Sequence, residues 1–105
     1  VKTFEVEETK ATNLYPSNPE TIMSTSFSHI FQGGYSAGYY SYKWAEVLDA
    51  DAFQYFKENG VFDPLISKKF KTLLESGGTK DPMELYENFR GSEPKVESLL
   101  KRAFG

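Results

Sequence analysis

Ser36-Ala-Gly-Tyr-Tyr-Ser-Tyr-Lys-Trp-Ala-Glu-Val-Leu-Asp-Ala-Asp-Ala-Phe-Gln-Tyr-Phe-Lys-Glu-Asn59 is the stretch that decides the fold. Its apolar residues Tyr40, Trp44, Val47, Leu48, Ala52, Tyr55 and Phe56 recur at steps of three and four, the period of one helix face, and Gly60 follows as a stop. A helix over 36–59 is therefore expected, with Tyr40 on its core side beside Trp44, Val47 and Leu48. Downstream, three acidic residue–proline pairs read as helix starts: Asp63-Pro64, Asp81-Pro82 and Glu93-Pro94. The carboxylate can accept from free first-turn amides, and proline has no amide to leave unpaired there.

The first of these helices should run from Pro64 to about Ser76, with Leu65, Ile66, Phe70, Leu73 and Leu74 as its stripe and Gly77-Gly78 as its end. The second carries Met83, Leu85, Tyr86 and Phe89 up to Gly91, and the third carries Val96, Leu99, Leu100 and Phe104. Upstream, Phe4 to Thr12 reads better as a Glu- and Lys-rich helix than as a strand. Asn13 to Ser28, with Pro16, Pro19 and many Ser, Thr and Asn, reads as mostly loop. The expectation is all-α: a Pro/Ser-rich entry over 1–28, a Gly-Tyr loop and one long helix over 29–60, and three shorter helices over 61–105, in a single segment.

The 105 residues, 39% hydrophobic and 16% aromatic, suffice for one small core. A net charge of −3, with Lys and Glu intermixed, provides no basic patch for nucleic acid or an anionic membrane. No apolar run approaches the ~20 residues of a membrane span. The chain contains no cysteine, so it forms no disulfide and fits a reducing, cytoplasmic compartment, with a periplasmic parent also compatible.

The residues that carry chemistry gather around His29-Ile-Phe-Gln-Gly-Gly-Tyr35 and the tyrosines beyond it. On the expected helix, Tyr35, Tyr39 and Tyr42 stand at i, i+4 and i+7 beside Gly38, Ala45, Glu46 and Asp49, a small and polar stripe unsuited to a core. Their phenols stay protonated at neutral pH and can donate to a developing oxyanion. His29, the one histidine, lies among Phe27, Ile30 and Phe31, and by itself reads as a structural imidazole. Gly33 and Gly34 read as a tight turn, or as a place where a backbone can approach closely or a loop can swing. Glu46, Asp49 and Asp51 match no calcium loop and read as a solvated helix face. For Arg90 an intramolecular ion pair comes first and bidentate recognition of a carboxylate second.

These segments, in this order, resemble the C-terminal part of the zinc peptidases of the thimet oligopeptidase, oligopeptidase A and peptidyl-dipeptidase group. The resemblance is carried by Phe27-Ser-His-Ile-Phe31, Gly33-Gly-Tyr-Ser-Ala-Gly-Tyr-Tyr-Ser-Tyr42, Trp44-Ala-Glu-Val-Leu48, Asp51-Ala-Phe53, Gly77-Gly78, Asp81-Pro-Met-Glu-Leu85 and Phe89-Arg-Gly-Ser-Glu-Pro94. It covers roughly Tyr15 to the end and implies a segment of a larger helical catalytic domain that hydrolyses short peptides, internally or by releasing C-terminal dipeptides. By the same resemblance, Tyr42 donates to the oxyanion or scissile carbonyl and Tyr35 assists it. His29 bonds the peptide backbone, Gly33 and Gly34 belong to a mobile loop bordering the cleft, and Tyr39 is a third member of the tyrosine set. Arg90 lies in a matched motif, and its second reading, clasping a substrate's C-terminal carboxylate, would add it to the substrate-binding set. Gln32 departs from the small residue several relatives carry and would stiffen that loop.

The resembling enzymes bind zinc through a His-Glu-x-x-His helix and a further glutamate, and neither pattern occurs here. With one histidine and no cysteine, this chain is expected to bind no zinc and to be inert alone; the cofactor would belong to the full-length enzyme. Its expected partners are a peptide substrate and the remainder of the catalytic domain, and the excised segment would expose apolar surface and self-associate. A rival reading is a free-standing helical interaction module with an aromatic groove over residues 35–44. It accounts for the size and the missing metal pattern, but not for the order of so many matching segments.

Overall fold

The computed structural model describes residues 1–105 and is all-helical: α1 (Lys2–Thr9), α2 (Met23–Ser26), a 3₁₀ turn (Ser28–Ile30), α3 (Ser41–Asn59), α4 (Pro64–Ser76), α5 (Pro82–Arg90) and α6 (Glu97–Phe104). None of these helices is long and apolar enough to cross a membrane. The chain divides into two compact units, Val1–Tyr40 and Ser41–Gly105.

The second unit holds the core. Phe89 of α5 is 2% exposed and stacks with Tyr55 and Phe70 at 5.3 Å between ring centroids and with Phe56 at 6.2 Å, while Ala52, Ile66 and Tyr86 close around it. Two of the three expected starts are built as read. Asp63 Oδ1 accepts from the amides of Leu65 (2.8 Å) and Ile66 (3.0 Å), and Asp81 Oδ1 from those of Met83 (2.9 Å) and Glu84 (3.1 Å). Gly91 ends α5 in the left-handed region at φ 83°, donating to the Glu87 carbonyl at 2.7 Å.

The third start fails. Glu93-Pro94 lies outside the helix, and α6 opens at Glu97 with no side-chain cap. Glu is a poorer cap than Asp because its carboxylate sits one methylene farther from the amides, and Ser92 Oγ donates instead to the Glu93 carbonyl at 3.2 Å. Helix α6 then lies along α3, joined by Arg102 Nη1 to Asp49 Oδ2 at 2.7 Å.

The long helix starts at Ser41, five residues later than the periodicity implied. Ala37 takes a left-handed conformation at φ 54°, which a right-handed helix cannot pass through, and the Gly38 amide donates to the Tyr35 carbonyl at 2.8 Å in a turn. Tyr35 and Tyr39 are therefore off the helix that carries Tyr42. Tyr40, expected in the core, is 73% exposed: it precedes α3, so the helical periodicity that placed it beside Trp44, Val47 and Leu48 does not reach it.

Asp51 is the largest departure from the sequence reading. Instead of facing water it is 1% exposed, accepting from the Tyr86 hydroxyl at 2.8 Å and from Arg90 Nε at 3.2 Å. Arg90 also pairs with Glu58 at 3.2 Å, and its guanidinium lies 4.8 Å from the Tyr55 ring centroid. Burial, then the bond to Asp51, push the Tyr86 phenol well above its ordinary value. Asp51→Asn keeps the shape but sets an amide against the Arg90 donor. The expected cost is about 2 kcal/mol, less than for a fully isolated buried charge because Glu58 still pairs with Arg90. Urea unfolding checks this, and an unchanged midpoint would mean that the carboxylate charge contributes nothing.

The first unit is built differently: none of its side chains is buried. Helix α1 ends at Thr9, earlier than the expected Thr12, where the Asn13 amide and the Thr12 hydroxyl both turn back onto the Thr9 carbonyl at 3.0 Å. The stretch read as loop holds α2 and the start of the 3₁₀ turn.

Candidate functional site

Three of the residues singled out by sequence come together within the first unit. The 3₁₀ turn carries His29, whose ring centroid lies 5.3 Å from that of Tyr35 and 5.6 Å from that of Tyr39. The two tyrosine rings are 5.7 Å apart, edge to face. A helical row does not produce this cluster. Gly33 at φ 71° and Gly34 at φ 76° reverse the chain after Gln32, and Ala37 turns it again before Tyr39. A Cβ at 33 would also sit 3.3 Å from the Tyr35 ring, so the ring would have to shift slightly to admit one.

Phe27 completes the cluster, although nothing in its own sequence position marked it as a site residue. Its ring meets Tyr39 edge-on at 4.6 Å and lies 5.5 Å from His29. These four rings lie 4.6–5.7 Å apart on one short segment, contacts that restrict one another's rotation. His29 itself is exposed.

Tyr42 stands in the first turn of α3, in the second unit, and is half exposed. Lys43 beside it pairs with Glu46 at 2.9 Å. Arg90 is held by Asp51 and Glu58, so the intramolecular pairing is the reading its geometry supports.

In donor chemistry the cluster offers an imidazole and phenols, groups that hydrogen-bond a carbonyl oxygen and bond it more strongly as negative charge develops. A metal site is another matter. No three His, Cys, Asp or Glu side chains lie close enough together to hold an ion, so this chain's residues do not fit a zinc centre.

Comparison with known proteins covers nearly the whole chain. The family model described as "Peptidase family M3" matches residues 2–104. Oligopeptidase A of Haemophilus influenzae is 57% identical over 77 residues, 72% of this chain, and oligopeptidase A of Salmonella typhimurium is 44% identical over 99 residues, 93% of it. Dipeptidyl carboxypeptidase of Escherichia coli is 37% identical over 103 residues, 96% of this chain. The chain spans 11%, 14% and 15% of the lengths of these three relatives.

Proposed function

We propose, from the premise that this chain belongs to peptidase family M3, that the polypeptide of which it forms part hydrolyses short peptides and that this segment holds the peptide at the scissile bond. The observation that carries the reading is the convergence of His29, Tyr35 and Tyr39 on a turn framed by Gly33 and Gly34. His29 donates to a backbone carbonyl of the peptide, and the exposed glycine turn lets an extended backbone approach without side chains in the way.

As water adds to the scissile carbonyl, its oxygen gains negative charge, which the Tyr42 phenol meets by donating a hydrogen bond. Tyr39 orients the imidazole and lines the substrate side. Zinc and the water it would activate would be held by residues outside this chain. The rest of the polypeptide would also cover the apolar side chains this chain leaves exposed, among them Trp44, Phe53, Leu65 and Leu74.

The test is His29→Ala in the full polypeptide with a quenched short peptide as substrate. If His29 bonds the peptide backbone equally in ground and transition states, KM rises about tenfold with kcat little changed. Unchanged KM and kcat would remove His29 from the substrate-binding set.

A further inference from the structure

Helix α2 is four residues long and, in isolation, could not repay the cost of its own nucleus. Its preceding residue, Ile22, supplies no side-chain cap, so the amides of Met23 and Ser24 need an acceptor from elsewhere. They find it eighteen and nineteen residues upstream: Glu5 Oε1 accepts from the Met23 amide at 2.9 Å and Glu5 Oε2 from the Ser24 amide at 2.8 Å. One carboxylate on α1 thus caps a helix that the local sequence leaves open. Hydrogen bonding from the Ser24 side chain first, then from the Ser24 and Met23 amides, holds Glu5 below the ordinary carboxylate value, so it stays charged at neutral pH.

The cap matters because α2 is tied to the residues beyond it. The Phe27 amide donates to the Met23 carbonyl at 2.9 Å, and the Ile30 amide donates to the Phe27 carbonyl at 3.1 Å, so α2, Phe27 and the 3₁₀ turn bearing His29 form one hydrogen-bonded run. Phe27 in turn stacks on Tyr39. With no side chain of residues 1–40 buried, polar ties of this kind and the ring stack replace a core as the source of order.

We propose that Glu5 is a positioning residue for the aromatic cluster: by capping α2 from a distance it fixes the run Met23–Ile30 and, through it, the direction of the His29 imidazole. The consequence for turnover rests on the substrate-holding role proposed for His29; the tie itself does not.

The experiment uses the full polypeptide with Glu5→Ala, Glu5→Gln, His29→Ala and the double variant Glu5→Ala/His29→Ala. Hydrogen exchange over residues 23–31 should speed up at least tenfold in Glu5→Ala while exchange in α3–α5 is unchanged. Glu5→Gln has the same shape but keeps one acceptor and sets an NH2 against the second amide, so it should fall between. A purely steric role would leave Gln equal to Glu and overturns the proposal. In turnover, Glu5→Ala should raise KM about five- to tenfold, and the double variant should be no worse than His29→Ala, because both changes remove the same contact. Multiplying losses, or exchange over 23–31 no faster than in the unaltered protein, overturn it. His29→Ala without effect on KM would sink only the substrate-holding reading, and the exchange measurement would then decide the Glu5 tie alone.

Discussion

Phe89→Ala should cost about 3–5 kcal/mol, enough to unfold most of the second unit at physiological temperature. The side chain is 2% exposed, and four aromatic rings from α3, α4 and α5 meet it: Tyr55 and Phe56, Phe70, and Tyr86. Removing it leaves a cavity that those rings cannot all collapse into, since Tyr86 is fixed through its hydroxyl to Asp51. Urea unfolding followed by far-ultraviolet circular dichroism measures the loss. Phe62→Ala is the comparison: at 95% exposure it should shift stability by no more than about 0.5 kcal/mol. Equal effects of the two changes would mean that the core does not depend on the α5 ring.

The second large effect is catalytic. Tyr42→Phe in the full polypeptide removes one hydroxyl from a half-exposed ring in the first turn of α3 and should leave the fold intact. If the phenol meets the oxyanion, kcat and kcat/KM fall together by about 10²–10³-fold, about 3–4 kcal/mol, with KM nearly constant. Tyr40→Phe serves as control, since it takes the same atom from an exposed ring outside the assigned set. A Tyr42→Phe enzyme with undiminished kcat would take the oxyanion role away from Tyr42.

The helices after residue 60 were legible because their signals are local. Asp63-Pro64 and Asp81-Pro82 each place a short carboxylate within reach of the next amides, and Gly77 and Gly91 offer the positive-φ residues that end the helices. The start of the long helix was not legible. Its periodicity continues through Tyr40, and what interrupts it is a left-handed Ala37, a conformation alanine rarely adopts and no neighbour announces. At the candidate site, the residue types in His29–Tyr42 pointed to hydrogen-bond donors, yet the shared helical face did not exist: two turns, not a helix, bring Tyr35 and Tyr39 to His29. Asp51 was misread because its partners Tyr86 and Arg90 lie 35 and 39 residues away. Glu5 escaped notice for the same reason, since a cap eighteen residues from its helix leaves no spacing to recognise.

The contrast between a first unit with no buried side chain and a second unit closed around Phe89 bears on inherited variation. Substitutions at 41–105 that open the core act on how much folded protein a cell retains, since a loss of about 1–2 kcal/mol feeds degradation and lowers abundance severalfold. Substitutions at 1–40 open no core within this segment. Their harm would fall on the specific performance of each molecule, at normal abundance. Measured side by side, protein level and activity per molecule would therefore part company at Tyr40–Ser41, marking on the genotype the border between what keeps the segment in existence and what it contributes.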